Sequence, residues 1–223
     1  MKVVSLVPSA TETLVALGVP PVAVTRFCDR PGVPTIGGTK NPDVDAIVAL
    51  APDLVVVNDE ENRAEDAAAL EDAGLRLHSM SPRRVEDVDG AVRALATALG
   101  TTAPRIVVPT AALTRSGVIA TWRRPYMTCN RDTYGSSVLE HLGISNVYAD
   151  AEARYPEVML EEIAARTPDV VLLPDEPYPF APRHVPEVEA AVPGARVVIV
   201  DGRDMFWWGV RTPDALARLA EVV

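Results

Sequence analysis

The chain contains one sixteen-residue passage twice, and this repeat constrains the fold more than any other feature. Laying Asp45 to Glu60 (DAIVALAPDLVVVNDE) on Glu161 to Glu176 (EEIAARTPDVVLLPDE) gives identity at Ile47/Ile163, Ala49/Ala165, Pro52/Pro168, Asp53/Asp169, Val55/Val171, Asp59/Asp175 and Glu60/Glu176. Each copy reads as a short helix, a Pro-Asp turn and a strand. The strand is apolar without alternation, as a parallel strand covered on both faces must be. A weaker register at an offset of 125 continues upstream, through Leu14/Leu139, Leu17/Leu142, Gly18/Gly143, Val22/Val147 and Pro31/Pro156. Both registers run in the same order, which points to a duplicated lobe in which Val55–Val57 superposes on Val171–Leu173.

Each half alternates strands with helices, the pattern of an open parallel sheet. In the first half strands are expected near residues 3–7, 22–25, 54–58 and 75–79, and helices near 10–17, 43–50, 64–72 and 85–99. In the second half strands are expected near 118–122, 146–148, 170–174 and 196–201, and helices near 133–142, 159–166, 185–192 and 213–223. The expected fold is therefore α/β: two similar Rossmann-like lobes with parallel sheets, residues 1–99 and 117–223, with a ligand cleft between them. The joining segment, 100–116, carries two prolines and reads equally as a short kinked helix or an extended connector.

Composition removes several function classes. The net charge is −10, whereas affinity for nucleic acid comes from clustered Lys and Arg, so no nucleic-acid partner is expected. The longest apolar run, near Ile47 to Val57, is interrupted by Pro52 and Asp53 and falls short of the ~20 residues that cross a bilayer, so membrane insertion is not expected. The first strand begins at once after Met1, with no basic segment and apolar stretch ahead of it. That suggests a cytoplasmic protein, or a periplasmic one whose leader has been removed. Two cysteines are too few for a disulfide framework.

In open α/β sheets ligands lie beyond the carboxyl ends of the strands. Of eleven aromatic residues only Phe27 precedes residue 121, and most others follow expected strands: Trp122 and Tyr126, Tyr155, Tyr178 and Phe180, then Phe206, Trp207 and Trp208. These rings either form a wall facing a ligand or pack the core of the second half. Tyr134 and Tyr148, inside elements, fit the core. The corresponding loops of the first half are smaller and more polar: Ser9 to Glu12, Arg26 to Asp29 and Asn58 to Asn62. Ser9 or Thr11 with Glu12 reads as a helix cap, or as an anion-binding helix start if the cap is not used. Arg123, Arg124, Arg131 and Arg154 crowd the loops of the second half, although 19 of the 21 basic residues are Arg. No phosphate-binding glycine motif, zinc-ligand spacing or nucleophile elbow occurs, so neither a metal site nor a nucleotide site is expected. Cys28 and Cys129, one per half, read as free thiols, ligand contacts or a redox pair.

The passages VSLVPSATETLVALG, VAVTRFCDRP, GGTKNPDVDAIVALAPDLVVV and ENRAEDAAALEDAGLRL resemble the first lobe of the helical-backbone metal receptor superfamily, the binding proteins for cobalamin and iron–siderophore complexes in ABC importers. RDTYGSSVLEHLGISNVYAD, RYPEVMLEEIAARTPDVVLLPDEPYPF and VVIVDGRDMFWWG resemble its second lobe, and the likeness is to cobalamin-binding members in particular. The resemblance implies two α/β lobes bridged by a long helix, with the ligand between them. The 100–116 segment is shorter and more broken than that helix. The resemblance also implies an acidic docking residue on each lobe. Glu65 or Glu61 answers to the first, but the second position, within Phe206-Trp207-Trp208-Gly209, has no acid, which makes an importer permease a doubtful partner.

The expected function is thus non-catalytic binding of a small ligand, a corrinoid, siderophore or metal chelate, with no cofactor required. The expected contacts are Ser9, Thr11, Phe27, Cys28, Asn58 and Glu60 from the first lobe, and Trp122, Arg123, Tyr126, Arg131, Tyr178, Trp207 and Trp208 from the second. The alternatives are an enzyme using Cys28, Asp29 or Glu60 in the same cleft, and a protein-interaction module built on the aromatic patch.

Overall fold

The structure, a computed structural model, describes all residues from Met1 to Val223. The chain forms two compact units, each with its own four-stranded parallel sheet. The first lobe comprises Met1–Pro82, Asp87–Ile106 and Trp208–Arg211; the second comprises Arg83–Glu86, Val107–Trp207 and Thr212–Val223.

In chain order the first lobe holds β1 (Val3–Ser5), α1 (Pro8–Ala16), β2 (Ala23–Val24), the small antiparallel pair β3 (Gly37–Gly38) and β4 (Asn41–Pro42), α2 (Val44–Leu50), β5 (Leu54–Val57), α3 (Ala64–Asp72), β6 (Leu77–Ser79) and α4 (Asp87–Leu99). Its sheet order is β2-β1-β5-β6. The second lobe holds β7 (Arg115–Ile119), β8 (Tyr126–Met127), α5 (Tyr134–His141), β9 (Ile144–Asn146), β10 (Glu157–Val158), α6 (Leu160–Ala165), β11 (Val170–Pro174), a 3-10 turn (Pro182–His184), α7 (Val185–Ala191), β12 (Arg196–Val200), α8 (Gly202–Phe206) and α9 (Thr212–Val222). Its sheet order is β12-β11-β7-β9. Numbered by appearance within each lobe, both sheets read 2-1-3-4.

The duplication extends to individual hydrogen bonds. Val55 lies opposite Val4 and Leu77, and its repeat mate Val171 lies opposite Val118 and Val197. The Val22 amide donates to the Val3 carbonyl, and the Val147 amide to the Gly117 carbonyl. Ala51 (φ 44°) and Thr167 (φ 47°), mates in the first register, both adopt the left-handed conformation, as do Gly18 (φ 77°) and Gly143 (φ 76°) in the second. An alanine and a threonine both hold an unfavourable backbone at the same turn. That turn is therefore imposed by the helix-to-strand geometry on both sides of it.

The repeated aspartates have a shared task. Asp53 Oδ2 accepts the Lys2 amide at 2.6 Å, and Asp169 Oδ2 accepts the Ser116 amide at 2.7 Å and its hydroxyl at 2.8 Å. Asp53 thus anchors the residue just before β1, and Asp169 the second residue of β7. The Ser116 amide, then its hydroxyl, hold the Asp169 carboxyl below the usual carboxylate range. A depressed pKa contributes stability that is complete above the unfolded value, about pH 4, and is lost as pH falls through the folded value. Asp169→Asn should therefore destabilise the second lobe at pH 7, and the gap to the parent protein should close toward pH 3. Urea denaturation at the two pH values measures this, and a gap unchanged at pH 3 would reject the assignment.

Below the first sheet pack Val4, Leu6, Ile36, Ile47, Val55, Val57 and Leu70; below the second pack Val118, Tyr148, Ile163, Val171, Leu173, Phe180 and Val188. Alternate residues of β5 and of β11 supply one core each, as the two-residue period of a strand requires. Ile47 and Ile163 are both within 1% of complete burial and hold α2 and α6 in place.

The capping expectation is corrected. Ser9 and Thr11 do not cap α1: the helix starts at Pro8, proline being suited to the first helical position, and the residue before it is Val7, with no side-chain cap. Residues 101–114 form neither helix nor strand, which leaves the extended reading of the connector. Tyr134 (7% exposed) and Tyr148 (4%) are core residues. No helix is long and apolar enough to cross a membrane.

Candidate functional site

The loops after β7 and β11 bring one group of expected residues together. After β7 the chain turns back through residues 121–127, with the Thr121 amide donating to the Met127 carbonyl and the Met127 amide to the Trp122 carbonyl. Trp122 and Arg123 lie on one limb, Tyr126 begins β8, and Arg124 (φ 67°) is at the tip. After β11 come Tyr178, Phe180 and the 3-10 turn ending at His184. Trp122 meets Tyr178 edge to face, ring centres 5.5 Å apart. Tyr178 leans on Phe180 at 4.7 Å and on His184 at 5.7 Å, and Tyr126 stacks on Phe180 at 6.4 Å.

This cluster is graded from inside to outside. Phe180 (2% exposed) and His184 (6%) are buried, whereas Trp122 keeps 42% of its surface open. His184 Nδ1 accepts the Ala181 amide at 3.0 Å, which leaves the ring proton on Nε2. Burial, then the nearby charges of Arg183, Arg123 and Arg124, lower its pKa and keep the ring neutral at physiological pH. The Arg123 guanidinium and the Tyr126 hydroxyl both donate to the Glu187 carboxylate, and the Arg123 bond is the main reason that carboxyl lies below its usual range. Arg123 is therefore committed to a partner in its own lobe. A positive φ at a non-glycine residue costs of order 1–3 kcal/mol, so the turn is held open at Arg124 against local preference.

The remaining expected residues of the second lobe have other neighbours. Arg131 pairs with Asp150 and donates to the Ala149 carbonyl. Trp207 (9% exposed) closes α8, carries the Arg203 guanidinium 4.9 Å above its ring, and hydrogen-bonds the Glu176 carboxyl. Burial pushes that carboxyl up despite this bond. Asp175, Glu176, Asp201 and Arg203 line a cavity of about 350 Å³ at the carboxyl ends of β11 and β12. Trp208 is 4% exposed and belongs to the first lobe.

In the first lobe Ser9, Thr11, Cys28 and Asn58 are buried. The Thr11 hydroxyl lies 3.0 Å from the Val7 carbonyl, 2.9 Å from Ser5 Oγ and 3.2 Å from Cys28 Sγ, and Thr25 Oγ1 is 3.3 Å from the same sulfur. Asn58 organises the loop after β5: its Oδ1 accepts the Glu60 and Glu61 amides, and its Nδ2 donates to the Met80 carbonyl. Glu60 is half-buried in that loop. Phe27 is the exposed member, 53% open, with the Arg26 guanidinium 4.9 Å over its ring. Cys129 is fully buried, and burial pushes its thiol up to about 11.

Phe180, His184 and Glu187 complete the second-lobe cluster and were not among the expected contacts. The spacing Tyr178-x-Phe180 just after a strand was a usable signal. His184 carried none, since a lone histidine beside prolines reads as a loop residue. No group of His, Cys, Asp and Glu side chains suited to a metal ion is present.

No family model matches the chain. Among curated proteins, the vitamin B12-binding protein of Salmonella paratyphi A is 25% identical over 190 residues, covering 77% of this chain and 71% of its own length. That of Vibrio parahaemolyticus is also 25% identical, over 76% of this chain and 69% of its own. Among solved structures, the periplasmic vitamin B12 binding protein BtuF of Vibrio cholerae superposes with a TM-score of 0.78 at 20% identity, covering 99% of this chain and 95% of that one. The periplasmic heme-binding protein BhuT, solved in complex with two hemes, gives 0.79 at 21% identity, covering 99% and 96%. The chain is thus similar in sequence to vitamin B12-binding proteins and shares its two-lobed α/β fold with periplasmic binding proteins for vitamin B12 and heme.

Proposed function

We propose that this protein binds a flat metal chelate of the tetrapyrrole class, a corrinoid or a heme, and hands it to an ABC importer. The observation that carries the reading is the open Trp122 ring propped on Tyr178 beyond the carboxyl ends of β7 and β11. A broad, rigid aromatic surface is suited to a flat macrocycle, because stacking needs area and loses little side-chain entropy. On this reading Trp122, Arg123, Tyr126 and Tyr178 form the second lobe's ligand face, and Phe27 and Glu60 are the first lobe's contribution. Ser9, Thr11, Cys28 and Asn58 shape the first-lobe loops through their internal hydrogen bonds, and Arg131, Trp207 and Trp208 act in support.

The named relatives are binding proteins, which agrees with a non-catalytic role. Cys28 is enclosed by hydroxyls and Cys129 is held as a thiol, so neither favours the enzyme reading. A cytoplasmic location finds no support among the solved neighbours, which are periplasmic proteins, and an extracytoplasmic location is the better fit. The permease also gains support. The helices that follow β5 and β11 each carry an exposed acid, Glu65 on α3 and Glu189 on α7. Acidic contacts on both lobes would steer docking onto a basic partner surface.

Titrating the purified protein with cyanocobalamin and with hemin, followed by tryptophan quenching and calorimetry, tests the reading. Binding of at least one with Kd of about 1 μM or tighter is expected. No saturable binding of either at ~100 μM, a ceiling some hundredfold weaker, would overturn it.

A further inference from the structure

Arg124 and Arg183 flank the aromatic cluster without serving its internal structure. Arg124 is exposed at the tip of the 121–127 turn, two residues beyond Trp122, and Arg183 is exposed in the 3-10 turn immediately before His184, whose ring lies 5.7 Å from Tyr178. Arg123, between them in function, is already engaged by Glu187; no carboxylate pairs with either of the other two. Both act on the His184 ring, where three guanidinium charges stand against the single carboxylate of Glu187. The local balance is thus positive on a chain whose net charge is −10. Arg124 also holds its place with a φ of 67°, a backbone state that asparagine or glycine would adopt more readily. Unfavourable backbone at an exposed, charged, loop-tip residue is what a ligand clamp leads one to expect.

We propose that Arg124 and Arg183 form an anion clamp beside the Trp122–Tyr178 face and select flat chelates whose rim carries carboxylates. The inference rests on the tetrapyrrole reading above and adds to it a choice of ligand class: an acid porphyrin over an uncharged or amidated macrocycle. The stacking surface is indifferent to rim charge, whereas a planar guanidinium engages a carboxylate through two parallel hydrogen bonds. Discrimination between acid and ester forms of one macrocycle therefore falls to the two arginines.

The test compares iron protoporphyrin with both carboxylates free, its dimethyl ester and cyanocobalamin, against the parent protein, Arg124→Gln, Arg183→Gln and the double variant, with near-ultraviolet circular dichroism confirming the fold. The free acid should bind the parent at least tenfold more tightly than the ester, and its affinity alone should fall as salt is raised. Each single variant should weaken the free acid about tenfold and leave the ester within about twofold, since charged hydrogen bonds of this kind carry about one decade of affinity each. Equal affinity for acid and ester, or equal losses for both in the variants, would overturn the clamp while leaving the tetrapyrrole reading intact. Binding of cyanocobalamin alone would do the same. Binding of none of the three would overturn both.

Discussion

Replacing Trp122 by alanine should weaken binding of a flat chelate by about five- to 150-fold, because a ring stacked on an aromatic side chain is worth ~1–3 kcal/mol. The same change should leave the stability of the fold nearly untouched. Trp122 keeps 42% of its surface open, and its main packing partner is the edge-to-face ring of Tyr178. Such a pair contributes ~0.5–1.5 kcal/mol beyond its buried area, so a loss of about 1 kcal/mol is the expected ceiling. Tyr178→Ala should cost more stability, since Tyr178 also packs on Phe180 and His184. Ligand titration beside urea denaturation separates the two effects. Unchanged affinity with a large loss of stability would show that Trp122 belongs to the core.

Trp208→Ala should do the reverse, costing ~3–5 kcal/mol of stability, the range for emptying a buried indole site. The ring is 4% exposed and is followed by Gly209, whose φ is 117°. A Cβ at Gly209 would stand 2.1 Å from the Thr13 hydroxyl, so the chain here runs too close to α1 to shift and refill the vacated space. Against a total stability of ~5–15 kcal/mol, such a loss moves the unfolding midpoint far enough to read in any denaturation assay. A loss under ~1 kcal/mol, accompanied by loss of ligand binding, would return Trp208 to the ligand face.

Most of the fold was legible because the repeat exposed it. The run Leu54 to Val57 and its copy Val170 to Leu173 are apolar at every position, a pattern that leaves little choice but a covered parallel strand. What escaped was structure without periodicity. The helix α8 is five residues long, begins on Gly202 and ends among aromatics, so no 3.6-residue pattern can develop. Its one usable signal was Asp201, whose side chain accepts the Arg203 and Asp204 amides as a helix cap. The start of α1 was misplaced for a related reason. Ser9 and Thr11 have the composition of caps, but Thr11 uses its hydroxyl on the Val7 carbonyl, Ser5 and Cys28, contacts spanning up to seventeen residues of sequence.

The ligand face was half legible. Aromatics after strands are visible in a sequence, so Trp122, Tyr126 and Tyr178 could be nominated. Their division into open and committed side chains was not, because it depends on partners remote in sequence. Arg123 and Arg124 are neighbours of one type, yet Glu187, sixty-four residues from Arg123, hydrogen-bonds only the first. Trp207 and Trp208 are likewise identical and adjacent, but the chain passes from the second lobe to the first between them.

That passage at residue 208 bears on how the protein can be cut. Residues 208–211 complete the first lobe from far along the chain: the Val210 amide donates to the Thr13 hydroxyl, and the Arg211 guanidinium lies 3.4 Å from Glu12. A fragment ending at Ile106 would keep all four strands of the first sheet and still lack the piece that closes over α1. The genetic duplication and the folding units are thus out of phase. Severing the polypeptide at its apparent midpoint would yield one fragment with bare apolar surface and another trailing a foreign strap, so a split version of this protein calls for junctions chosen by contact rather than by repeat.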